Sequence, residues 1–110
     1  MKRTAKQNGK YARRKGHQFE RDMANELKCV FPEARRHLEN HKEDAAKGID
    51  LMNCEPFGIQ LKCYKDYVPI NRINEVTEGI PVLITKGDRL EPMVVMSLKN
   101  WMKLLKGELL

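Results

Sequence analysis

What this sequence lacks narrows its class before any motif is read. The three cysteines, Cys29, Cys54 and Cys63, are odd in number and show no C-x-x-C spacing, which argues against a disulfide framework or a four-cysteine zinc site and leaves buried free thiols as the expectation. No run approaches the ~20 apolar residues of a membrane span, and the N-terminal MKRTAKQNGKYARRKG has no apolar segment of the kind a secretory signal needs. A cytoplasmic protein with no membrane partner is expected. Internal repeats and interdomain linkers are also missing, so the 110 residues are read as one domain with a modest core.

Acids are absent from the first sixteen residues, which hold seven cations: Lys2, Arg3, Lys6, Lys10, Arg13, Arg14 and Lys15. The whole chain carries a net charge of +6. Residues 1–15 are therefore expected to form a basic, self-repelling arm that is mobile until it meets a polyanion, ahead of a single domain over 16–110. Nucleic acid is the partner this implies. A merely solubilising terminus is the alternative, and an anionic membrane fits less well because the arm has no Trp, Leu or Phe to insert.

Periodicity predicts the elements. In HQFERDMANELKCVF, Phe19, Met23, Leu27 and Val30 recur at helical spacing and Pro32 ends the helix. At ~100° per residue Glu20 falls near Leu27, on the margin of the apolar stripe, so it looks toward the body of the protein. ARRHL is a short candidate strand, and ENHKEDAAKG has no periodicity and reads as a loop. GIDLMNC and FGIQLKCY, separated by Glu55 and Pro56, suggest a hairpin. PINRINEVTEG is predicted as a helix with Ile70, Ile73 and Val76 inward; IPVLIT reads as a buried strand, PMVVMSL as another, and LKNWMKLLKGELL as a terminal helix. Trp101, Leu98, Leu104 and Leu105 of that helix are most simply core, with a dimer seam as the alternative. The order is αβββαββα, a mixed α/β domain.

The second strand of the hairpin poses a chemical question. Gln60 and Lys62 fall on one face by period-2 alternation, and the hairpin can bring Asp50 to the same side. Unpaired buried charges cost several kcal/mol, so the group needs partners, and a metal ion is the candidate. Carboxylate oxygens from Asp50 and Glu20 with the carbonyl of Gln60 suit Mg²⁺ or Mn²⁺, and Lys62 can orient a water or stabilise charge on a phosphate. This is the equipment of a phosphodiesterase. Cations placed to meet DNA are Arg13, Arg14, Lys15 and His17 around the helix start, Arg35 and Arg36 on the candidate strand, and Lys47 and Lys65 flanking the hairpin. His37 and His41, spaced i, i+4, would suit zinc on a helix, but their segment does not read as one.

The spacing Asp50-x9-Gln60-x-Lys62, after a helix carrying Glu20, resembles the PD-(D/E)XK nuclease superfamily over residues 15 to 104. KGHQFERDMANEL resembles the first helix of archaeal-type and phage Holliday-junction resolvases, GIDLMNCEPFGIQLKCYK the core of Mrr-type restriction endonucleases, and PVLITKGDRLEPMVVMSLKNWMKLL the tail of small phage-type resolvases. The resemblance implies a restriction-endonuclease-like fold with a central mixed sheet of about five strands flanked by helices. It also implies a homodimer that hydrolyses DNA with Mg²⁺ and takes no small-molecule substrate. By the same resemblance Glu20 matches the first-helix acid, Asp50 the central aspartate, Gln60 the (D/E) position and Lys62 the lysine. Gly48-Ile49 stands where the Pro would be, and Gln60 replaces the usual acid as the Mrr-type members do.

The expectation is a metal-dependent endonuclease, most simply a Holliday-junction resolvase of phage type. One rival is an Mrr-like nuclease choosing DNA by sequence or modification, for which the chain looks too short to hold a separate recognition domain. The other is a basic DNA-binding protein that does not cut.

Overall fold

Two layers, a helix and a sheet, enclose the main core, and the alternation of one strand assigns its side chains to either face. The computed structural model describes residues 5–37 and 47–110, of residues 5–8 the backbone alone. Its elements are α1 (Ala5–Leu27), β1 (Arg35–Arg36), β2 (Leu51–Met52), β3 (Phe57–Cys63), a 3-10 helix (Ile70–Glu75), β4 (Ile80–Lys86), β5 (Met93–Val95) and α2 (Leu98–Leu105). In β3, Ile59 and Leu61 face α1 and pack with Phe19, Met23 and Ala24, and with Val82 and Ile84 of the parallel strand β4. Phe31 and Phe57 meet edge to face at 6.0 Å beside this core. Gly58 and Gln60 face the other way with Leu83, where the 3-10 helix and Val76 cover them. The parallel β3–β4 pair needs a crossover, and the segment 64–79 supplies it.

The mixed α/β class and the strand order follow the sequence, but the five strands fall in two hydrogen-bonded sheets, β1–β2 and β3–β4–β5, where one sheet of about five was expected. β2 pairs antiparallel with β1, and toward β3 the chain makes one ladder bond, from Asp50 N–H to Ile59 O at 2.8 Å. The next rung is taken by a side chain: Asp50 Oδ2 accepts the Leu61 N–H at 2.7 Å. A carboxylate thus stands where a continued strand would put a carbonyl, and the expected hairpin is cut short there.

Other differences have local causes. Helix α1 starts at Ala5, so residues 5–15 of the expected arm continue the helix; Ala, Lys, Gln and Arg dominate there, and Gly9 and Gly16 cost about 1 kcal/mol each without a Pro to break it. Its end at Leu27 leaves Val30 and Cys29 exposed past the apolar stripe, so of the three expected buried thiols only Cys54 is fully buried. The segment after Pro69 winds as a 3-10 helix because its Ile and Asn residues are weak α-formers, and Ile70, expected inward, is 71% exposed while Val76 is buried. Helix α2 is capped by Ser97 but buries none of its residues, so Leu98, Trp101 and Leu105 are not core. Lys2, Arg3, His41 and the expected loop over 39–46 lie outside the described residues. No helix among the described residues is long and apolar enough to cross a membrane.

Two glycines let the crossover press on the strands that hold the polar residues. Gly48, at φ +74°, has no room for a side chain against the Glu75 carbonyl, and Gly58 has none against the Glu78 carbonyl and Val76. Replacing Gly58 by Ala is expected to cost about 1–3 kcal/mol in urea denaturation, since backbone must move to admit the methyl group. A variant as stable as the wild type would show that this contact does not constrain β3.

Candidate active site

Asp50 leaves the turn at Lys47 and Gly48 and lies along the free edge of β3, fixed there by the two hydrogen bonds from Asp50 N–H to Ile59 O and from Leu61 N–H to its carboxylate. His37 is its other neighbour: the His37 N–H donates to Asp50 O at 3.3 Å, and His37 Nε2 lies 3.9 Å from Asp50 Oδ1. Glu20 comes from α1, one residue past the buried Phe19, and accepts a hydrogen bond from Arg36 Nε at 3.3 Å. Asp50 senses the Glu20 charge. Burial first, and the Glu20 charge second among the raising causes, hold the Asp50 carboxyl above its usual range, while the Leu61 N–H, Lys62 and His37 pull it down.

Glu20, Asp50 and Lys62 line one cavity of about 420 Å³, as the sequence predicted they should meet. Arg13, Lys15 and Lys65, three of the cations expected to touch DNA, line the same cavity. Lys15 reaches from α1 to the Tyr64 carbonyl at 3.2 Å and pairs with Asp88, which raises its pKa and keeps it charged. The remaining expected cations are elsewhere: Arg14 lines a neighbouring cavity, Arg36 is engaged by Glu20, Lys47 pairs with Glu78 at 2.6 Å, Arg35 is exposed on β1, and His17 lines neither cavity.

Gln60 is placed differently from expectation. It is 2% exposed and does not line the cavity; its Nε2 donates to Glu75, and its Oε1 is buried without a hydrogen bond. Glu75, which the sequence reading did not single out, is the centre of this side. The same Oε2 that accepts from Gln60 lies 3.4 Å from Lys62 Nζ, and its Oε1 accepts from Arg72 Nε at 2.8 Å. Arg72 first of all holds the Glu75 carboxyl below its usual range. The signal available beforehand was the alternation itself: Gln60 and Lys62 share a face and both donate, so an acid had to cover them.

Hard oxygen donors are the chemistry on offer. Among the described residues no three His, Cys, Asp or Glu side chains form a group that could hold a metal alone; the oxygen donors on the cavity are the two carboxylates of Glu20 and Asp50. Compared with family models, curated proteins and solved structures, the chain matches none.

Asp50 makes the fold carry a cost at neutral pH. A raised carboxyl pKa supports the folded state while protonated, and that support is lost as pH rises through the folded value. Asp50→Asn, which keeps an oxygen for the Leu61 N–H, is therefore expected to melt above the wild type at neutral pH in EDTA, with the gap closing as pH falls through the raised carboxyl value. A lower melting temperature at neutral pH would mean that the ionised carboxylate itself holds the two chain segments together.

The Glu75 contacts give a second expectation. Glu75→Ala strips the acceptor from the buried Gln60 amide and should lower the urea midpoint, and it should lower it less in a Gln60→Leu background, where no buried donor is left unpaired. Equal losses in both backgrounds would show that Gln60 and Glu75 are not coupled.

Proposed function

We propose that the cavity between α1 and β3 is the active site of a divalent-metal-dependent DNA endonuclease of PD-(D/E)XK type, selective for branched DNA. The observation that carries this reading is the convergence of Glu20, Asp50 and Lys62 on one cavity whose wall includes Arg13, Lys15 and Lys65. Two carboxylates in a half-buried place, one held above its usual range partly by the other, suit a hard divalent cation, because positive charge between them removes the repulsion. Mg²⁺ or Mn²⁺ there would polarise a phosphoryl oxygen and acidify an attacking water. Gln60, expected as a third oxygen ligand, faces Glu75 on the other side of β3 and is not among the donors this reading uses.

The chain's own residues do the rest. Lys62 lines the cavity while its ammonium lies 3.4 Å from Glu75 Oε2, so a cation is held beside the place where a phosphate would gain negative charge. Arg36 holds the Glu20 carboxylate in place. Arg13 and Lys65 provide phosphate contacts at the cavity mouth, an electrostatic term that weakens with salt. A two-fold dimer would present two such sites to a four-way junction, and the exposed apolar residues Leu98, Trp101 and Leu105 of α2 with Met93 and Val94 at the β5 edge offer a seam for it.

A non-catalytic DNA-binding protein is the second reading. It is favoured by the way the polar groups satisfy one another, Lys62 with Glu75 and Glu20 with Arg36. Cleavage of an end-labelled four-way junction and its matched linear duplex, in Mg²⁺ or EDTA, separates the two. The expected outcome is paired nicks on the junction that need the metal, vanish in Asp50→Asn and fall roughly 10²–10³-fold in Lys62→Ala, the size seen when a transition-state charge loses one donor. Mg²⁺ should also raise the melting temperature of the wild type and not of Asp50→Asn. Salt-sensitive binding of both substrates with cleavage of neither would overturn the nuclease and leave the binding protein.

A further inference from the structure

Two of the three tyrosines stand on the wall of the same cavity. Tyr11 on α1 and Tyr64 just past β3 are each 50% exposed and both line it, together with Arg13, Lys15 and Lys65. Single exposed aromatics are ordinary; the third tyrosine, Tyr67, does not line the cavity. The other two are brought together by a clasp. Tyr11 and Lys15 are one helical turn apart and so share a face of α1, and Lys15 Nζ donates to the Tyr64 carbonyl at 3.2 Å and pairs with Asp88. The Tyr64 N–H in turn donates to Lys86 O at 3.1 Å, which ties its backbone to β4.

Tyr11 also lines the neighbouring cavity of about 630 Å³, whose cations are Arg14, Lys15, Arg21 and Lys86. Tyr11 is thus shared by two cation-lined hollows. Cations that can meet successive phosphates, with aromatic faces between them, form the arrangement by which proteins bind unpaired strands, since every base has a π-face and stacking tolerates any sequence. In an intact duplex those faces are covered by neighbouring base pairs. We infer that Tyr11 and Tyr64 form a stacking platform for unpaired nucleotides of DNA, so that the substrate class is DNA with single-stranded character next to the cut phosphate. This rests on the nuclease reading for the cut, while the binding itself needs no chemistry.

Fluorescence anisotropy in EDTA tests it with a labelled oligothymidylate and a labelled hairpin duplex, on the wild type and on Tyr11→Leu, Tyr64→Leu and the corresponding Phe variants. Far-UV circular dichroism confirms that each variant is folded. Loss of one stacked base is expected to weaken single-strand binding at least about fivefold in each Leu variant, to spare it in the Phe variants and to leave duplex binding unchanged. Leu variants that bind the single strand like the wild type, or that lose both ligands equally, overturn the platform and leave the nuclease reading standing. A wild type that binds neither ligand overturns both.

Discussion

The site depends on one substitution of bonding partners at the edge of β3. The Asp50 backbone N–H makes an ordinary ladder bond to Ile59, and then its side chain, in place of a main-chain carbonyl, accepts the next N–H from Leu61. The rung at Leu61 is thus filled by a carboxylate, and the strands of the chain form two separate hydrogen-bonded sheets. The same bond brings a charged group to a half-buried place beside Glu20 and Lys62. Architecture and chemistry share a single hydrogen bond, and local stability is given up for a carboxylate that an apolar residue could not replace.

On the opposite face of β3 a second constraint operates. Gln60 is nearly inaccessible and Lys62 is only partly exposed, and both find the same oxygen of Glu75, which Arg72 holds ionised. This network fixes a lysine that also lines the cavity. An acid from the crossover thus supplies the negative charge on the Gln60 face of β3. Gly48 and Gly58 allow that approach by leaving space for backbone where a side chain would stand.

Much of the fold was legible because it follows from periodicity. The α1 stripe of Phe19 and Met23, the alternation of Ile59 and Leu61 with Gln60 and Lys62, and the buried run of β4 all appear where apolar spacing puts them. Glu20, Asp50 and Lys62 could be grouped because α1 and β3 pack on each other and the alternation sets their directions. What spacing does not contain is the identity of partners far along the chain. Glu75 lies on a crossover whose helix type depends on weak local preferences, and nothing local marks it as the acceptor for Gln60. The pairing of β2 with β1, and the Asp50 side chain standing in for a backbone acceptor beside it, are likewise encoded by no pattern. The exposure of α2 was missed for a related reason: an apolar stripe says that a helix wants a partner without saying where that partner is.

The N-terminal half of α1 links the helix to ionic strength. Its first turn holds no acid to balance the positive end of the helix dipole, and Lys10, Arg13 and Arg14 sit at spacings of three and four residues, where like charges repel on one surface. Dissolved salt and a bound polyanion relieve the same tension, but they compete to do so. Raising the salt concentration steadies the free helix, and it would weaken the proposed complex with DNA, so the conditions that suit this helix alone would be those that release such a partner.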